Sequence, residues 1–392
     1  MNLNIMLKAF LRQSGLGISR KSTTLKFDPL LPRLLFPFSL KFCSTSTSDQ
    51  HSFAVSYLIN NCGFSPESAL KASKVVRFKT SEKPDSVLTF FRNHGFSDSD
   101  IYNIIKREPW LLSCDTNKRV LPKFQFLLSK GASTSDIVRI ATGSPRFLKL
   151  SLENHMIPAY NLVNRFLLCD KKVIASVICC PSLLSSNYLV PNVKLLVDNG
   201  VARSNLFRIL RVKPYVISST DLGKMVQELK KLGFDPSKTY FGDALIAKRS
   251  MSKSKWNEKI DSYKKWGWSE ETILEAFRRQ PNCMIASNDK INRVMRFWVN
   301  QLGWSSSYLI KGPGIFAYSL ENRVIPRASV VQYLLSKGLR SEGASFLTPF
   351  FMSEKLFLRR FVKCFGEEET SQLLKLYQGK MNVEDKRAQG EP

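Results

Sequence analysis

Apolar residues recur along this chain in groups spaced i, i+3, i+4, with polar residues between them. Such spacing places three side chains on one face of an α-helix, and no segment reads convincingly as a β-strand. The pattern predicts an all-α protein whose apolar stripes form the core. Two sets of stripes are present: Val87/Phe90/Phe91, Phe124/Leu127/Leu128, Val193/Leu196/Val197 and Val330/Tyr333/Leu334, and then Ile101/Ile104/Ile105, Ile137/Ile140/Ala141, Ile174/Val177/Ile178, Leu206/Ile209/Leu210 and Ile273/Ala276/Phe277.

Glycine divides these stripes into pairs. It recurs at intervals of 32–36 residues, apart from one interval of 69 that is two periods with the glycine replaced near Asp170. Glycine tolerates the left-handed conformation that closes a helix, and a following Ser or Asp caps the next one. Ser97 with Asp100, and Ser133 with Asp136, have the spacing of a capping box. Each period is therefore a helix-turn-helix, and the glycines are Gly63, Gly95, Gly131, Gly200, Gly233, Gly267, Gly303 and Gly338.

Proline marks the end of the second helix of a pair. Fourteen residues separate glycine from proline in the pairs Gly95–Pro109, Gly131–Pro145, Gly200–Pro214 and Gly267–Pro281. A second proline follows 10–13 residues later at several junctions, which leaves room only for one 3₁₀ or α turn. The repeat around residues 247–260 lacks these prolines. The whole pattern predicts a solenoid of about nine helix-turn-helix repeats over residues 53–378, with two helices and a short turn per period of about 33–36 residues.

The charge balance points to a polyanionic partner. Lys and Arg number 59 against 32 Asp and Glu, a net charge of +27. Residues 1–43 contribute +6, so +21 remains on the rest of the chain. A folded surface this cationic favours nucleic acid as the partner. An acidic membrane surface is the alternative, but no basic amphipathic anchor helix is evident. No apolar stretch approaches the roughly 18 residues of a membrane-spanning helix, so we expect no membrane insertion.

Candidate catalytic and metal-binding groups are sparse. The three histidines, His51, His94 and His155, are far apart, and no two of the eight cysteines form a C-x-x-C pair. We therefore expect no metal site and no disulfide framework, which fits a reduced compartment. Acidic pairs such as Glu270-Glu271 fall in the first turns of helices, where they are expected. The sequence predicts no enzyme, no catalytic residues, no cofactor and no small-molecule substrate.

The two ends of the chain differ from the repeats. Residues 1–45 are rich in Arg, Lys, Ser and Thr with a single acidic residue, which predicts an organellar transit peptide. The arginines and the Phe42-Cys43-Ser44 junction favour the mitochondrion, with the chloroplast as the alternative. Residues 379–392 are polar and are predicted to form a disordered tail.

Basic residues recur just before the first proline of the repeat. Arg139 and Arg208 lie six residues before their prolines on the same helix, and Lys248-Arg249 occupies the matching place in the repeat without proline. Stacked at one register, they would line an edge of the array with one level of cations every 8–10 Å or so, tracking about 20 base pairs. The alternative is that each cation needs no ligand, because cations in a last turn complement the helix dipole. That explanation does not account for a surplus of +21. We call this set the cation row: Lys106, Arg107, Arg139, Arg208, Arg211, Lys213, Lys248, Arg249, Arg278, Arg279 and Lys311.

These features resemble the mitochondrial transcription termination factor (mTERF) family, in particular its land-plant branch. The matching elements are the two-helix unit, the Pro181-Ser182-Leu183-Leu184 element and the apolar-Pro steps such as Leu121-Pro122. The resemblance implies a left-handed superhelical solenoid, concave and basic on one side, that holds duplex nucleic acid. Family members act in organellar gene expression, including transcription termination or initiation, intron splicing and ribosome assembly.

We therefore expect a monomeric, non-enzymatic superhelical solenoid that binds organellar double-stranded DNA or structured RNA and regulates gene expression. Two alternatives remain at this point. A single-strand RNA reader of the pentatricopeptide type also has helical pairs near 35 residues, but lacks fixed prolines at both junctions. A protein-binding scaffold of the HEAT or armadillo type predicts a near-neutral or acidic groove, which the charge balance disfavours.

Overall fold

The computed structural model describes residues 47–340 and 345–388, and the side chains of residues 53–340 and 345–378. Every regular element in these ranges is helical, as predicted. The predicted transit peptide over residues 1–45 lies outside the described residues, as do residues 389–392. The described residues form two units, one of residues 47–199 and 206–220 and the other of residues 200–205, 221–340 and 345–388.

The first unit is a succession of helical pairs. Four of its second helices run into a 3₁₀ turn that begins with proline, at Pro109–Ser113, Pro145–Lys149, Pro181–Ser185 and Pro214–Val216. A π-helical turn, Leu152–Met156, leads into one of the first helices. The α-helices are Thr47–Asn60, Pro66–Ser73, Glu82–Asn93, Asp98–Arg107, Thr116–Arg119, Leu121–Ser129, Thr134–Gly143, Ile157–Leu167, Asp170–Cys179, Leu189–Asp198 and Arg203–Val212, the last with its first three residues in the second unit.

The second unit continues the same plan, with proline-led 3₁₀ turns at Pro281–Met284 and Pro313–Ala317. Its π-helical turns are Arg296–Gln301 and Leu320–Val324. The predicted domain boundary at residue 378 falls within its last helix, and the disordered tail from residue 379 stays a prediction. The α-helices are Leu222–Lys231, Thr239–Arg249, Lys253–Lys264, Glu270–Arg279, Asn288–Met295, Ser307–Lys311, Ile325–Ser336, Thr348–Phe351, Glu354–Phe361 and Glu367–Ala388.

The backbone at the helix ends has the conformation that the glycines predict. All eight repeat glycines have positive φ, between 66° and 84°. The residue that replaces glycine in the long interval is Leu168, with φ of 54° and 74% of its surface exposed. It closes the helix Ile157–Leu167 in the left-handed conformation. The period is therefore kept by backbone geometry even where the glycine is replaced.

The predicted capping boxes are present. The Ser97 hydroxyl accepts from the backbone N–H of Asp100, whose carboxylate accepts from the backbone N–H of Ser97. Ser133 and Asp136 repeat this exchange at the start of Thr134–Gly143. Two amides at each helix start are thereby satisfied by side chains of the same turn.

The apolar stripes form the core, as predicted, because most of their members are buried in contact between helices. Ile104, Ile105 and Leu127, for example, have no exposed surface. Leu128 departs from the prediction, since 48% of its surface is exposed. Leu128 is the i+4 member of its stripe. It lies at the edge of the buried face of the helix Leu121–Ser129, and its side chain faces solvent.

A buried polar contact ties the first helix of a repeat to a backbone carbonyl at the end of the same repeat. In three repeats the residue after the opening proline donates to a backbone carbonyl 25 residues later. These side chains are at most 7% exposed, so each buried polar group has a hydrogen-bond partner within the protein. The contacts are Lys123 to Leu148 at 2.8 Å, Asn192 to Ile217 at 2.6 Å and Arg327 to Met352 at 2.8 Å.

Candidate nucleic-acid interface

Second helices of neighbouring repeats pack against one another within each unit. In the first unit, Thr134–Gly143 contacts both Asp98–Arg107 and Asp170–Cys179. In the second, Glu270–Arg279 contacts Thr239–Arg249 and Ser307–Lys311. Residues at one position near the ends of these helices therefore lie at successive levels of one edge, separately in each unit.

The proline-led turns stack in the same way. Pro145–Lys149 contacts Pro181–Ser185, which contacts Pro214–Val216, and Pro281–Met284 contacts Pro313–Ala317. The residues just before each proline are thus held at one register by packing of the turns. The members of the cation row that come just before a proline therefore lie where a second helix ends, whereas Arg139 and Arg208 lie six residues before their prolines.

Most of the cation row faces solvent. Nine of its members are exposed, and Arg208 and Lys248 are half-buried. The positions relative to proline differ in what they contact. Arg107 and Arg279 lie two residues before their prolines, whereas Lys106, Arg211 and Arg278 lie three residues before. One residue is about 100° around a helix, so the two positions point in different directions.

The two arginines that lie two residues before proline contact the protein, whereas Lys311, two residues before Pro313, makes no hydrogen bond or ion pair with the described part of the chain. Arg107 donates to the carbonyls of Thr142 at 2.7 Å and Gly143 at 3.0 Å, at the end of the second helix of the next repeat. Because they end their helix, these carbonyls receive no hydrogen bond from a later backbone N–H of that helix, and the guanidinium group donates to them instead. Arg279 instead forms an ion pair with Glu275 at 2.8 Å. Both side chains have partners without any ligand.

Three lysines of the row lie over aromatic rings. The Nζ atom of Lys106 is 5.4 Å from the ring centre of Tyr102, and that of Lys213 is 6.0 Å from Tyr215. The ammonium group is attracted to the face of the ring in such pairs.

Lys248, the third, has two contacts at once. Its Nζ atom lies 4.9 Å from the ring centre of Trp256 and 3.2 Å from the Glu228 carboxylate. This half-buried lysine is therefore paired within the second unit.

Four arginines and lysines of the row are the most available for a ligand. Arg211, Arg249, Arg278 and Lys311 are exposed, and their side chains make no hydrogen bond or ion pair with the described part of the chain. Arg139 is also exposed, and its charge contributes to lowering the pKa of Asp136. The candidate interface is therefore carried by a subset of the predicted row.

Some exposed cations at this edge were not predicted. Arg146 and Lys149 lie within the turn Pro145–Lys149, on the far side of the proline from the residues that the repeat pattern singled out. Lys74 follows the helix Pro66–Ser73 at the same register as the row, but its repeat has no proline to mark it. Registering the repeats on glycine rather than proline would have found Lys74.

Aromatic residues near the helix ends mostly belong to the core. Trp268 is 3% exposed and stacks on Tyr263 with ring centres 5.0 Å apart. Trp304 is half-buried and meets the ring of Trp298 edge-on at 4.9 Å. Trp110 and Tyr215 are half-buried.

The described residues offer no cluster of three or more His, Cys, Asp or Glu side chains that could hold a metal ion. Burial raises the pKa of the Cys283 thiol to about 12 and that of Cys62 to about 11, so neither is a thiolate at neutral pH. Of the helices in the described ranges, none combines the length and the apolar character that crossing a bilayer requires.

Known proteins share this repeat. The chain is 22% identical over 263 residues to "Transcription termination factor MTERF8, chloroplastic" of Arabidopsis thaliana, covering 64% of this chain and 51% of that protein. It is 21% identical over 208 residues to "Transcription termination factor MTERF15, mitochondrial" of the same plant, covering 43% of this chain and 47% of that protein. The chain thus spans about half the length of these curated relatives.

The repeat units themselves match a family model. The model described as mTERF matches residues 88–248 and 246–358, which include most of the helical pairs of both units. This match agrees with the glycine and proline period and with the turn geometry described above. The chain belongs to the mTERF family.

Proposed function

We propose that this protein binds organellar double-stranded DNA or structured RNA along the cation row and regulates organellar gene expression without catalysing a reaction. The observation that carries this proposal is the surplus of +21 outside residues 1–43, combined with exposed cations at the same place in successive repeats. Helix-dipole pairing explains the place of each cation, whereas a polyanionic ligand also explains their excess.

Arginine and lysine side chains at an edge of this kind bind phosphates and position the protein on a strand. Four members have no hydrogen-bond or ion-pair partner among the described residues, and we assign these to phosphate contact: Arg211, Arg249, Arg278 and Lys311. Such contacts carry no sequence information by themselves, so the choice of target belongs to other contacts.

Transcription regulation is the form of gene-expression control that we favour. Both relatives carry transcription termination in their names, and one is chloroplastic and the other mitochondrial. We propose an organellar location, in the mitochondrion rather than the chloroplast because of the arginine-bearing first 45 residues. Intron splicing is the second role, since a structured RNA also presents a dense array of phosphates to the row.

Binding of the purified full chain to a labelled duplex of about 20–25 base pairs tests the proposal, with fluorescence anisotropy at about 50 and 200 mM salt. We expect affinity to fall steeply with salt because cations on the protein release counterions from the strand. Equal binding at both salt concentrations would contradict the proposal. A protein-binding scaffold would instead bind neither DNA nor RNA duplex at low salt.

A further inference from the structure

A cation-lined groove lies in the second unit, in the repeat that lacks proline. Its volume is about 690 Å³, and five of the residues that line it are cationic: Lys224, Lys231, Lys248, Arg249 and Lys253. Two carboxylates, Asp221 and Glu228, also line it, so the groove carries a net charge of +3. Three helices supply these residues: Leu222–Lys231, Thr239–Arg249 and Lys253–Lys264.

The groove follows from the missing proline. In other repeats a 3₁₀ turn with two buried apolar residues, such as Leu111 and Leu112, follows the second helix. Here only residues 250–252 join Thr239–Arg249 to Lys253–Lys264. Met251 and Ser252 of this short link line the groove, where a longer turn would bring its own side chains.

The charges around the groove are not balanced by the protein. Lys248 pairs with Glu228 at 3.2 Å, which leaves four cations and Asp221. The first turn of Lys253–Lys264 contains lysines and no acidic residue, although acidic residues are favoured there. The first turns of Leu121–Ser129, Ile157–Leu167 and Leu189–Asp198 also lack an acidic residue, so it is the lysines around the groove that distinguish it.

An aromatic ring forms part of the same groove. Trp256 is half-buried, and its ring meets Phe277 edge-on with centres 5.1 Å apart. The ammonium group of Lys248 lies over the indole at 4.9 Å. A ring face beside several cations is the combination that binds unpaired nucleotides, because the base stacks on the ring while the phosphate meets the cations.

We propose that this groove binds an unpaired nucleotide that adjoins the duplex, with its base against Trp256 and its phosphate among Lys224, Lys231 and Lys253. The proposal rests on the proposed function and adds to it a single-stranded element in the ligand. Paired bases are stacked within their helix and cannot reach an indole at the protein surface, so the groove distinguishes a duplex with a single-stranded extension from a blunt one.

The test compares two labelled RNA duplexes of about 20 base pairs, one blunt and one with an overhang of about five unpaired nucleotides. We expect the overhang to tighten binding of the full chain by about fivefold or more, the gain that stacking of one base supplies. We expect Trp256→Leu to abolish this gain while changing affinity for the blunt duplex less than about twofold.

A double variant that does not disturb packing supports the same test. Lys224 and Lys231 are exposed, and replacing both by Ala should also reduce the overhang gain. The matched control replaces Lys355 and Lys363 by Ala, since these exposed lysines of the same unit lie outside the groove. The control should lower affinity for both duplexes by a similar factor and keep the gain.

Several outcomes would overturn the proposal. Equal binding of blunt and overhang duplexes by the unaltered chain would refute it and leave the proposed function standing, as would a full gain in both groove variants. Competition by a free ribonucleoside monophosphate at micromolar concentration would assign the groove to a free nucleotide instead. If neither these RNA duplexes nor a DNA duplex of the same length binds at low salt, the proposed function fails first.

Discussion

The guanidinium group of Arg107 donates a hydrogen bond to the carbonyl oxygen of Gly143 at 3.0 Å, joining the ends of second helices in successive repeats. A second nitrogen of the same group donates to Thr142 at 2.7 Å. Arg211 lies in the same last turn of its own helix, one residue further from proline, and is exposed. The cation row therefore contains two kinds of residue, one that stabilises the stack and one that is available to a ligand.

Arg107→Ala and Arg211→Ala should separate these two roles. We expect Arg107→Ala to lower the free energy of unfolding by about 1–2 kcal/mol, because two helix-terminal carbonyls are left without a charged donor. Arg211→Ala should change it by less than about 0.5 kcal/mol, as exposed substitutions usually do. Urea unfolding followed by circular dichroism measures both. Equal decreases in stability would refute the distinction.

Leu168→Gly should stabilise the protein. Leu168 has φ of 54°, a conformation that costs an L-residue roughly 1–2 kcal/mol and glycine nothing. Because its side chain is 74% exposed, the substitution removes little packing. Glycine has more conformational entropy in the unfolded chain, which offsets part of this gain. We therefore expect a net increase of about 0.5–1 kcal/mol in the free energy of unfolding. A rise in the thermal midpoint would confirm this, and Gly200→Ala, at φ of 78°, should lower it.

Arg327→Met should destabilise the second unit. Arg327 is 2% exposed and donates to the carbonyls of Pro349 and Met352, each at 2.8 Å. Burial lowers the pKa of this guanidinium. Its removal takes the donor from the buried Pro349 carbonyl, whereas the Met352 carbonyl still accepts from Arg323 at 2.7 Å. We expect the free energy of unfolding to fall by about 2–3 kcal/mol.

Arg359→Ala is the control for that substitution, because Arg359 is an exposed arginine of the adjacent helix Glu354–Phe361. It should cost less than about 0.5 kcal/mol. An effect as small for Arg327→Met would show that the Pro349 carbonyl finds another donor.

The capping box at Ser133 gives stability a dependence on acid pH. The backbone N–H and then the hydroxyl of Ser133 donate to the Asp136 carboxylate and lower its pKa below the ordinary value. The unfolded carboxyl titrates near about 3.9, so the contribution is complete above that pH and disappears as pH falls through the folded pKa. Asp136→Asn should therefore be less stable than the unaltered protein at pH 7, and the difference should shrink below about pH 4. A difference that does not vary with pH would contradict this origin.

Local chemistry made much of the fold predictable. Gly95 and Gly131 each close a helix because glycine adopts a positive φ without strain. The Ser133 side chain caps a helix by accepting from a backbone N–H three residues later. Both signals are local and can be read from the sequence. The contact from Lys123 to Leu148 was not predicted, since a lysine after proline looks like any exposed cation until the next turn folds over it.

The candidate site was less predictable than the fold for a related reason. Arg107 and Arg211 both lie shortly before a proline, so the sequence pattern marks them alike. They are offset by one position along the helix, so their side chains point in different directions. Their contacts also depend on which atoms of the next repeat lie there. The groove around Trp256 depends on three helices that are separate in the sequence. The missing proline marked its location without indicating its shape.

The salt dependence of duplex binding by the triple variant Arg211→Ala, Arg249→Ala, Arg278→Ala tests the central claim most directly. If these exposed cations bind phosphates, the slope of log affinity against log salt should become shallower by about 2–3, or roughly 0.9 for each phosphate that the variant no longer neutralises. The thermal midpoint should stay within a few degrees, since none of the three has a partner in the described part of the chain. A slope equal to that of the unaltered protein would show that the cation row does not bind the nucleic acid.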